Sequence, residues 1–292
     1  MTAYFRPTTL DEALAIRAGS EVEVIAGGTD VYPNKTTQAG WGRIAHKDVL
    51  DVTAIPGLDR IEEADGHWRI GALVTWTGVV RADLPPLFDG LKAAAKEIGG
   101  QQIQNRGTIA GNLCTASPAG DGIPALLTLD AEVEVASVRG LRVEPVERFL
   151  DGYRHTTLAP DEILVALRIP KRGGRGGCKK LGARRYLVIS IVMAAGLIET
   201  DADGAIAHAR VAVGACSPVA RRLRALEERL IGQKLSPDLS RLVTPEDFAD
   251  LSPLGDVRAS AAYRLAAAQA LVRDLLAGLS AGAADAGERR AA

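Results

Sequence analysis

The chain has 292 residues, which at roughly 100–200 residues per domain leaves room for two domains or three. Hydrophobic residues make up 47% and charged residues 24%, a balance that excludes a disordered or low-complexity chain. Lys and Arg number 35 against 36 Asp and Glu, a net charge of -1 that excludes both a basic nucleic-acid binder and an acidic solvating tail.

The opening MTAYFRPTTL lacks a basic start followed by an apolar stretch, so no signal peptide is expected. Residues 8–17 read as a helix, with Thr9 as N-cap and Glu12 at capping-box spacing. Residues 21–26 alternate as a strand that runs straight into Gly27-Gly28-Thr29-Asp30. A second strand is expected over 49–55, ended by Pro56-Gly57. Residues 58–64 and 67–71 read as a hairpin about Asp65-Gly66. Helices are expected over 77–82 and, after Pro85-Pro86, over 87–98, closed by Gly99-Gly100.

A glycine-rich segment covers 105–131. Residues 132–136 and 141–143 then pair across a turn at 137–140, and 162–169 form another strand, stopped by Pro170. The glycines and cations of 171–180 read as an inter-domain linker. Strands over 187–199 and 206–214 flank Asp203-Gly204, and helices over 219–231 and 259–279 close the chain. The apolar run 187–198 is too short for a bilayer span of roughly 20 residues, so a buried strand is expected there. Strands in groups with helices between them make the class α+β.

Two short segments carry chemistry. Successive backbone N–H groups in a glycine turn can hold a phosphate oxygen, and residues 27–30 follow a strand. Gly107-Thr108-Ile109-Ala110-Gly111-Asn112, about 80 residues later, repeats that chemistry. Alone, each reads first as a structural turn; together they can clamp the two phosphates of a dinucleotide. No G-x-G-x-x-G opens a helix after a strand, and the run GGRGGCKK fails the P-loop requirement for G-K-[ST]. His46, His67, His155 and His208 are scattered, and Cys114, Cys178 and Cys216 have neither a local His partner nor C-x-x-C spacing. With nucleotide-type loops and no acid–base or nucleophilic set, a cofactor is expected to carry the reaction.

The segments AGGTD (26–30), IGALVTW (70–76), QIQNRGTIAGNLCTASPAGD (102–121), DEILVALRIP (161–170) and RASAAYR (258–264) occur in this order. Together they resemble the FAD-binding medium subunit of molybdenum hydroxylases, the family of the carbon monoxide dehydrogenase medium subunit and the xanthine dehydrogenase flavin domain. The resemblance runs from about Phe5 to about Leu279 and implies a vanillyl-alcohol-oxidase-type fold. Two α+β subdomains (1–55 and 56–172) would bind FAD, followed by a C-terminal domain of sheet and helices (177–282) and a flexible tail (283–292).

By the same resemblance, Ala26, Gly27, Gly28, Thr29 and Asp30, flanked by Val24, Ile25 and Val31, wrap the FAD pyrophosphate with Thr108, Ile109, Ala110, Gly111 and Asn112. Ser117 and Asp121 match an S-P-x-x-D pattern, with Asp121 on the nucleotide portion, and Leu164 and Lys180 match positions at the flavin end. Relatives often have Gly-Gly where this chain has Ala110-Gly111, and an acidic residue where it has Val188. The implied role is electron transfer from two 2Fe–2S clusters in a small subunit, fed by a molybdenum cofactor in a large subunit, through FAD to NAD+, a quinone or another acceptor. The implied assembly is a cytoplasmic heterohexamer, a dimer of heterotrimers, with no membrane span. With 3 Cys, the chain leaves the iron–sulfur clusters to its partner. A stand-alone flavin oxidase or reductase of the same fold, and a scaffold that has lost FAD, remain the alternatives.

Overall fold

Three larger sheets and one two-stranded ribbon are present in the computed structural model, which describes residues 3–40 and 47–291, without the side chains of residues 35, 37–40 and 282–291. His46 lies outside the described residues. Strands β1 (Tyr4–Phe5), β2 (Val22–Ile25) and β3 (Asp48–Asp51) form a parallel sheet in the order β1-β3-β2. Parallel neighbours need crossovers, and helices α1 (Leu10–Gly19) and α2 (Val31–Gly40) stand between these strands. The α1 start is capped as expected: Glu12 N donates to Thr9 Oγ1 at 3.3 Å and Thr8 N to the Glu12 carboxylate at 3.2 Å. The strand expected to reach residue 55 stops at Asp51. That carboxylate accepts from Thr53 N (2.8 Å) and Thr53 Oγ1 (2.6 Å), which winds residues 52–54 into a 3-10 turn.

The second sheet begins with the hairpin β4 (Ile61–Glu63) and β5 (His67–Gly71), turned at Asp65-Gly66 as expected. Five helices then intervene: α3 (Trp76–Arg81), α4 (Asp89–Glu97), α5 (Gln101–Gln104), α6 (Ile109–Thr115) and α7 (Gly122–Thr128). Hairpin β6 (Glu132–Ser137) and β7 (Gly140–Pro145) follows, then α8 (Val146–Phe149) and a ribbon of β8 (Leu150–Gly152) with β9 (His155–Thr156). Strand β10 (Ile163–Pro170) enters the middle of the antiparallel order β4-β5-β10-β6-β7. Its central place explains its apolar sequence, since Ile163 to Leu167 are all buried.

The linker reading of 171–180 is corrected by the third sheet. Arg175–Leu181 is strand β11, paired antiparallel with β12 (Val192–Thr200), from Arg175 opposite Ile198 to Leu181 opposite Val192. Its glycines are packing positions. A Cβ on Gly177 would sit 2.9 Å from Leu279 Cδ2, and one on Gly176 would sit 2.6 Å from the Leu87 carbonyl oxygen. Small residues therefore let α4 lie on one face of the strand and the last helix on the other. The buried strand expected over 187–199 begins only at Val192. Leu187 and Ile189 are exposed, because 182–191 is the connection between two antiparallel strands. Strands β13 (Ile206–Gly214) and β14 (Arg221–Arg222) complete the sheet, followed by α9 (Arg224–Leu230) and α10 (Ala261–Ala291).

Alternate residues of β12 face two different cores. Ala195 and Leu197 join the large core of the second sheet, while Val192, Ala194 and Ile198 join the core beneath α10 with Leu275 and Leu276. A strand buried on both faces reads as a continuous apolar run. Asp130, just after α7, ties the units together: it pairs with Arg172 (2.9 Å), Arg210 (3.2 Å) and Arg222 (2.8 Å). No helix among the described residues is long and apolar enough to cross a membrane.

Candidate functional site

The two glycine segments, distant in sequence, meet in space. Gly27 lies so close to the second segment that a Cβ on it would fall 1.9 Å from the Arg106 carbonyl oxygen and 3.1 Å from Gly107 Cα. A Cβ on Gly107 would in turn lie 3.3 Å from Thr29 Oγ1. Gly28 has φ +71, the left-handed turn that swings the chain from β2 into α2. Thr29 and Asp30 complete the turn, and Val31 starts the helix, while Ile25 is buried and Val24 half-buried behind it.

The second segment is the first turn of α6, not an open loop. Thr108 is its N-cap, with Oγ1 accepting from Gly111 N at 3.0 Å. Thr75 caps α3 in the same way, accepting from Gly78 N at 3.1 Å. The two caps are stitched together by Trp76 N to Gly107 O (3.1 Å) and Ile109 N to Val74 O (3.0 Å). Ile109 and Ala110 are buried in the large core, and the Ile109 and Gly111 N–H groups are already taken by the Val74 carbonyl and Thr108 Oγ1. The first turns of helices carry N–H groups without intrahelical partners, which favour an anion.

Ala26, Gly27 and Thr108 line a cleft of about 280 Å³. Its other walls are residues that the sequence did not single out: Thr53 to Pro56, Asp59, Leu73, Thr75, Asn105 and Arg106. Pro56-Gly57 was legible as a turn, but nothing in the sequence says that this turn faces residue 27.

Further along, the Asn112 side-chain oxygen is buried without a hydrogen-bond partner in the protein. It lies near the sites that Cβ atoms on Gly120 and Gly122 would occupy, at 3.3 and 3.2 Å. Ser117 Oγ accepts from Ala119 N at 3.3 Å and shapes the turn before α7. Asp121 is buried and held at both oxygens: Lys180 Nζ donates to Oδ2 at 2.7 Å and Ser190 Oγ to Oδ1 at 2.5 Å. Lys180 also donates to the Glu97 carbonyl at 3.0 Å. Burial pushes the Asp121 carboxyl above its usual range, while the Lys180 charge and the two donors pull it back. Ser190 is not among the expected site residues, although the Ile189-Ser190 pair after Val188 belongs to the resembled pattern. Leu164 is buried in the large core, away from the cleft lining.

Residues 1–172 match the family described as the FAD binding domain in molybdopterin dehydrogenase, and residues 179–279 match the CO dehydrogenase flavoprotein C-terminal domain. The chain belongs to this flavoprotein family. The nicotine 6-hydroxylase medium subunit of Paenarthrobacter nicotinovorans is 32% identical over 272 residues, covering 92% of this chain and 94% of that protein. In fold, the chain is similar to quinoline 2-oxidoreductase from Pseudomonas putida 86, with a TM-score of 0.86 at 24% identity, covering 97% of this chain and 98% of that one. Carbon monoxide dehydrogenase from Hydrogenophaga pseudoflava, in a form lacking the Mo-pyranopterin moiety, gives 0.82 at 25% identity, over 94% and 96%.

The residues of this flavoprotein fit FAD on two structural observations. The contact of Gly27 with Arg106 and Gly107 has no room for a side chain, and it brings both segments to the edge of the cleft lined by Ala26, Gly27 and Thr108, where a pyrophosphate can approach backbone. The buried Asn112 oxygen lacks a partner within the protein, as a group awaiting a ligand donor does.

Proposed function

We propose that this chain is the electron-transfer medium subunit of a three-component molybdenum hydroxylase. In this reading, electrons come from 2Fe–2S clusters in a small subunit, supplied by a molybdenum cofactor in a large subunit. They leave to an acceptor such as NAD+ or a quinone. Bound FAD supplies the redox chemistry that the side chains of this chain lack.

The chain's own residues bind and orient. Residues 26–30 and 108–112 hold the pyrophosphate through backbone, with α2 and α6 presenting their N-terminal turns. Asn112 satisfies its buried oxygen on the nucleotide. Lys180, fixed by Asp121 and the Glu97 carbonyl, places a cation at the flavin end, where it favours an anionic reduced ring. Ser190 holds the second Asp121 oxygen and so keeps that cation in place.

The single observation that carries this reading is the meeting of the two glycine segments at Gly27 and Gly107. Purification from the native host tests it. The expected result is a complex that carries flavin, molybdenum and iron together, with this chain as its flavin-bearing part. A colourless, folded chain overturns the flavin assignment. A flavin-bearing chain with no metal-bearing partner overturns the subunit assignment and leaves a stand-alone flavoprotein.

A further inference from the structure

The segment RASAAYR at 258–264 contributes no residue to the cleft lining and no hydrogen bond to Asp121 or Lys180. Its last residue, Arg264, stands in the first turn of α10 with its side chain only 5% exposed. A buried guanidinium is costly unless its donors are met. Towards solvent, Nη2 donates to the Asp256 carboxylate at 2.8 Å. Nη1 donates to two buried main-chain carbonyls, Ile191 at 2.5 Å and Ala215 at 3.1 Å. An ion pair with Asp256 is enough to anchor the start of a helix at the surface. It gives no reason to bury the guanidinium against two carbonyls.

Both carbonyls belong to segments that end on Asp121. Ile191 follows Ser190, whose Oγ donates to Asp121 Oδ1 at 2.5 Å. Ala215 follows the end of β13 with φ +62, and its N–H donates to the Pro118 carbonyl at 2.9 Å. Pro118 lies in the turn closed by Gly120 N on the Ser117 carbonyl (2.9 Å), directly before Asp121. The Cys216 thiol donates to the Arg264 carbonyl at 3.8 Å, so the backbone of α10 is tied to the same place. One guanidinium therefore braces both supports of the Asp121–Lys180 pair: the hydroxyl that holds the carboxylate and the turn that carries it.

We infer that Arg264 is a positioning residue for the Asp121–Lys180 pair. It fixes the backbone beside Ser190 and, through Ala215, the 117–120 turn, and so sets the place of the Lys180 ammonium. The consequence for the flavin end rests on the proposed flavin reading, whereas the effect on Lys180 itself is read without flavin.

The test is acetylation of lysines on the full chain freed of flavin, read residue by residue by mass spectrometry. In wild type, Lys180 is expected to react slowly, because its side chain is 8% exposed and paired; the exposed Lys179 beside it is the reference. Arg264→Met is expected to raise Lys180 labelling relative to Lys179 by roughly twofold or more, the lower end of couplings between linked residues. Arg264→Lys keeps the charge without the planar fork and is expected to fall between the two. It carries the test if the methionine variant does not fold. Leu230→Ala is the packing control. Leu230 belongs to the core beneath α10, two residues before Gly232, whose N–H donates to the Ile206 carbonyl at the opposite end of β13 (2.8 Å). This variant is expected to melt lower and keep the wild-type labelling ratio.

Unchanged Lys180 labelling in a folded Arg264 variant overturns the inference. So does an equal rise in Leu230→Ala, which would make the effect a general loss of packing. In the flavin-loaded complex, Arg264→Met is expected to shift the flavin potential downward, as Lys180→Met does and by less. A shift with Lys180→Met and none with Arg264→Met overturns the reach of Arg264 to the flavin end. Raised labelling with no shift in either variant is the failure of the flavin reading and leaves the brace standing.

Discussion

Lys180 Nζ and Asp121 Oδ2 are 2.7 Å apart, both side chains buried, one on β11 and the other just before α7. This pair joins the two matched domains at the point where the flavin end is proposed to lie. A buried ion pair gains little stability, because desolvating both charges offsets most of their attraction. Its worth is positional: it holds one cation at one place.

Replacing Lys180 by Met removes that cation with little change of volume. The flavin midpoint potential is expected to fall by roughly 30 mV or more, the equivalent of about 1.4 kcal/mol for a two-electron couple. Spectroelectrochemical titration measures it. An unchanged potential with full flavin content shows that Lys180 does not act on the ring.

Gly27 and Gly28 differ in a way that orders their variants. A Cβ on Gly27 meets backbone at 1.9 Å, whereas one on Gly28 meets the Tyr32 ring at 2.7 Å, and a ring can turn aside. Gly28→Ala adds the strain of φ +71. Gly27→Ala is expected to lose its flavin and Gly28→Ala to retain part of it, as read from flavin absorbance per polypeptide with circular dichroism as the folding control. The reverse order would show that residue 27 is not the point where the two segments are clamped.

Asn112→Ala separates binding from stability. Removing a buried oxygen that has no partner in the protein leaves the melting temperature of the FAD-free chain unchanged or slightly raised. FAD affinity is expected to fall by roughly 10-fold, about 1.4 kcal/mol. A variant that melts lower without FAD yet binds FAD normally would show that Asn112 is a packing residue.

Asp256 gives a pH dependence with a definite sign. Its carboxylate accepts from Arg258 N (2.8 Å), Ala259 N (3.3 Å) and Arg264 Nη2 (2.8 Å) just before α10. The Arg258 backbone N–H, and then the Arg264 and Arg258 guanidinium groups, hold its carboxyl well below the usual range. A depressed folded pKa means that the stabilisation is present above the ordinary Asp value of about 3.9 and is lost as pH falls through the folded one. Asp256→Asn is therefore expected to melt lower than wild type near neutral pH, with the difference shrinking below about pH 3.9. A difference constant with pH would assign the loss to packing and not to charge.

Local signals were legible where a residue acts on its own neighbourhood. The Thr9 cap, the Asp65-Gly66 and Asp203-Gly204 hairpins and the strands expected over 132–136, 141–143, 162–169 and 206–214 stand in the structure close to where the sequence places them. Glycine was the least legible residue. In 171–180 it reads as a linker, but Gly176 and Gly177 are small because two helices press on β11 from opposite sides. Exposed hydrophobicity misled in the same way: 187–191 continues an apolar run yet lies outside the sheet.

The sequence by itself determined the α+β class, the family and the two glycine segments, because motif identity and periodicity are local properties. Only the tertiary structure decided that Gly27 touches Arg106, that Lys180 and Ser190 share Asp121, and that Arg264 reaches the Ile191 and Ala215 carbonyls. Each of these joins residues far apart in the chain or depends on what surrounds them, and a contact of that kind is set by how the sheets pack. The near-zero net charge excluded a globally basic protein, but it averages over the surface. Lys179, Lys180, Arg184 and Arg185 already cluster within seven residues of the sequence, and the fold adds that they line one concavity.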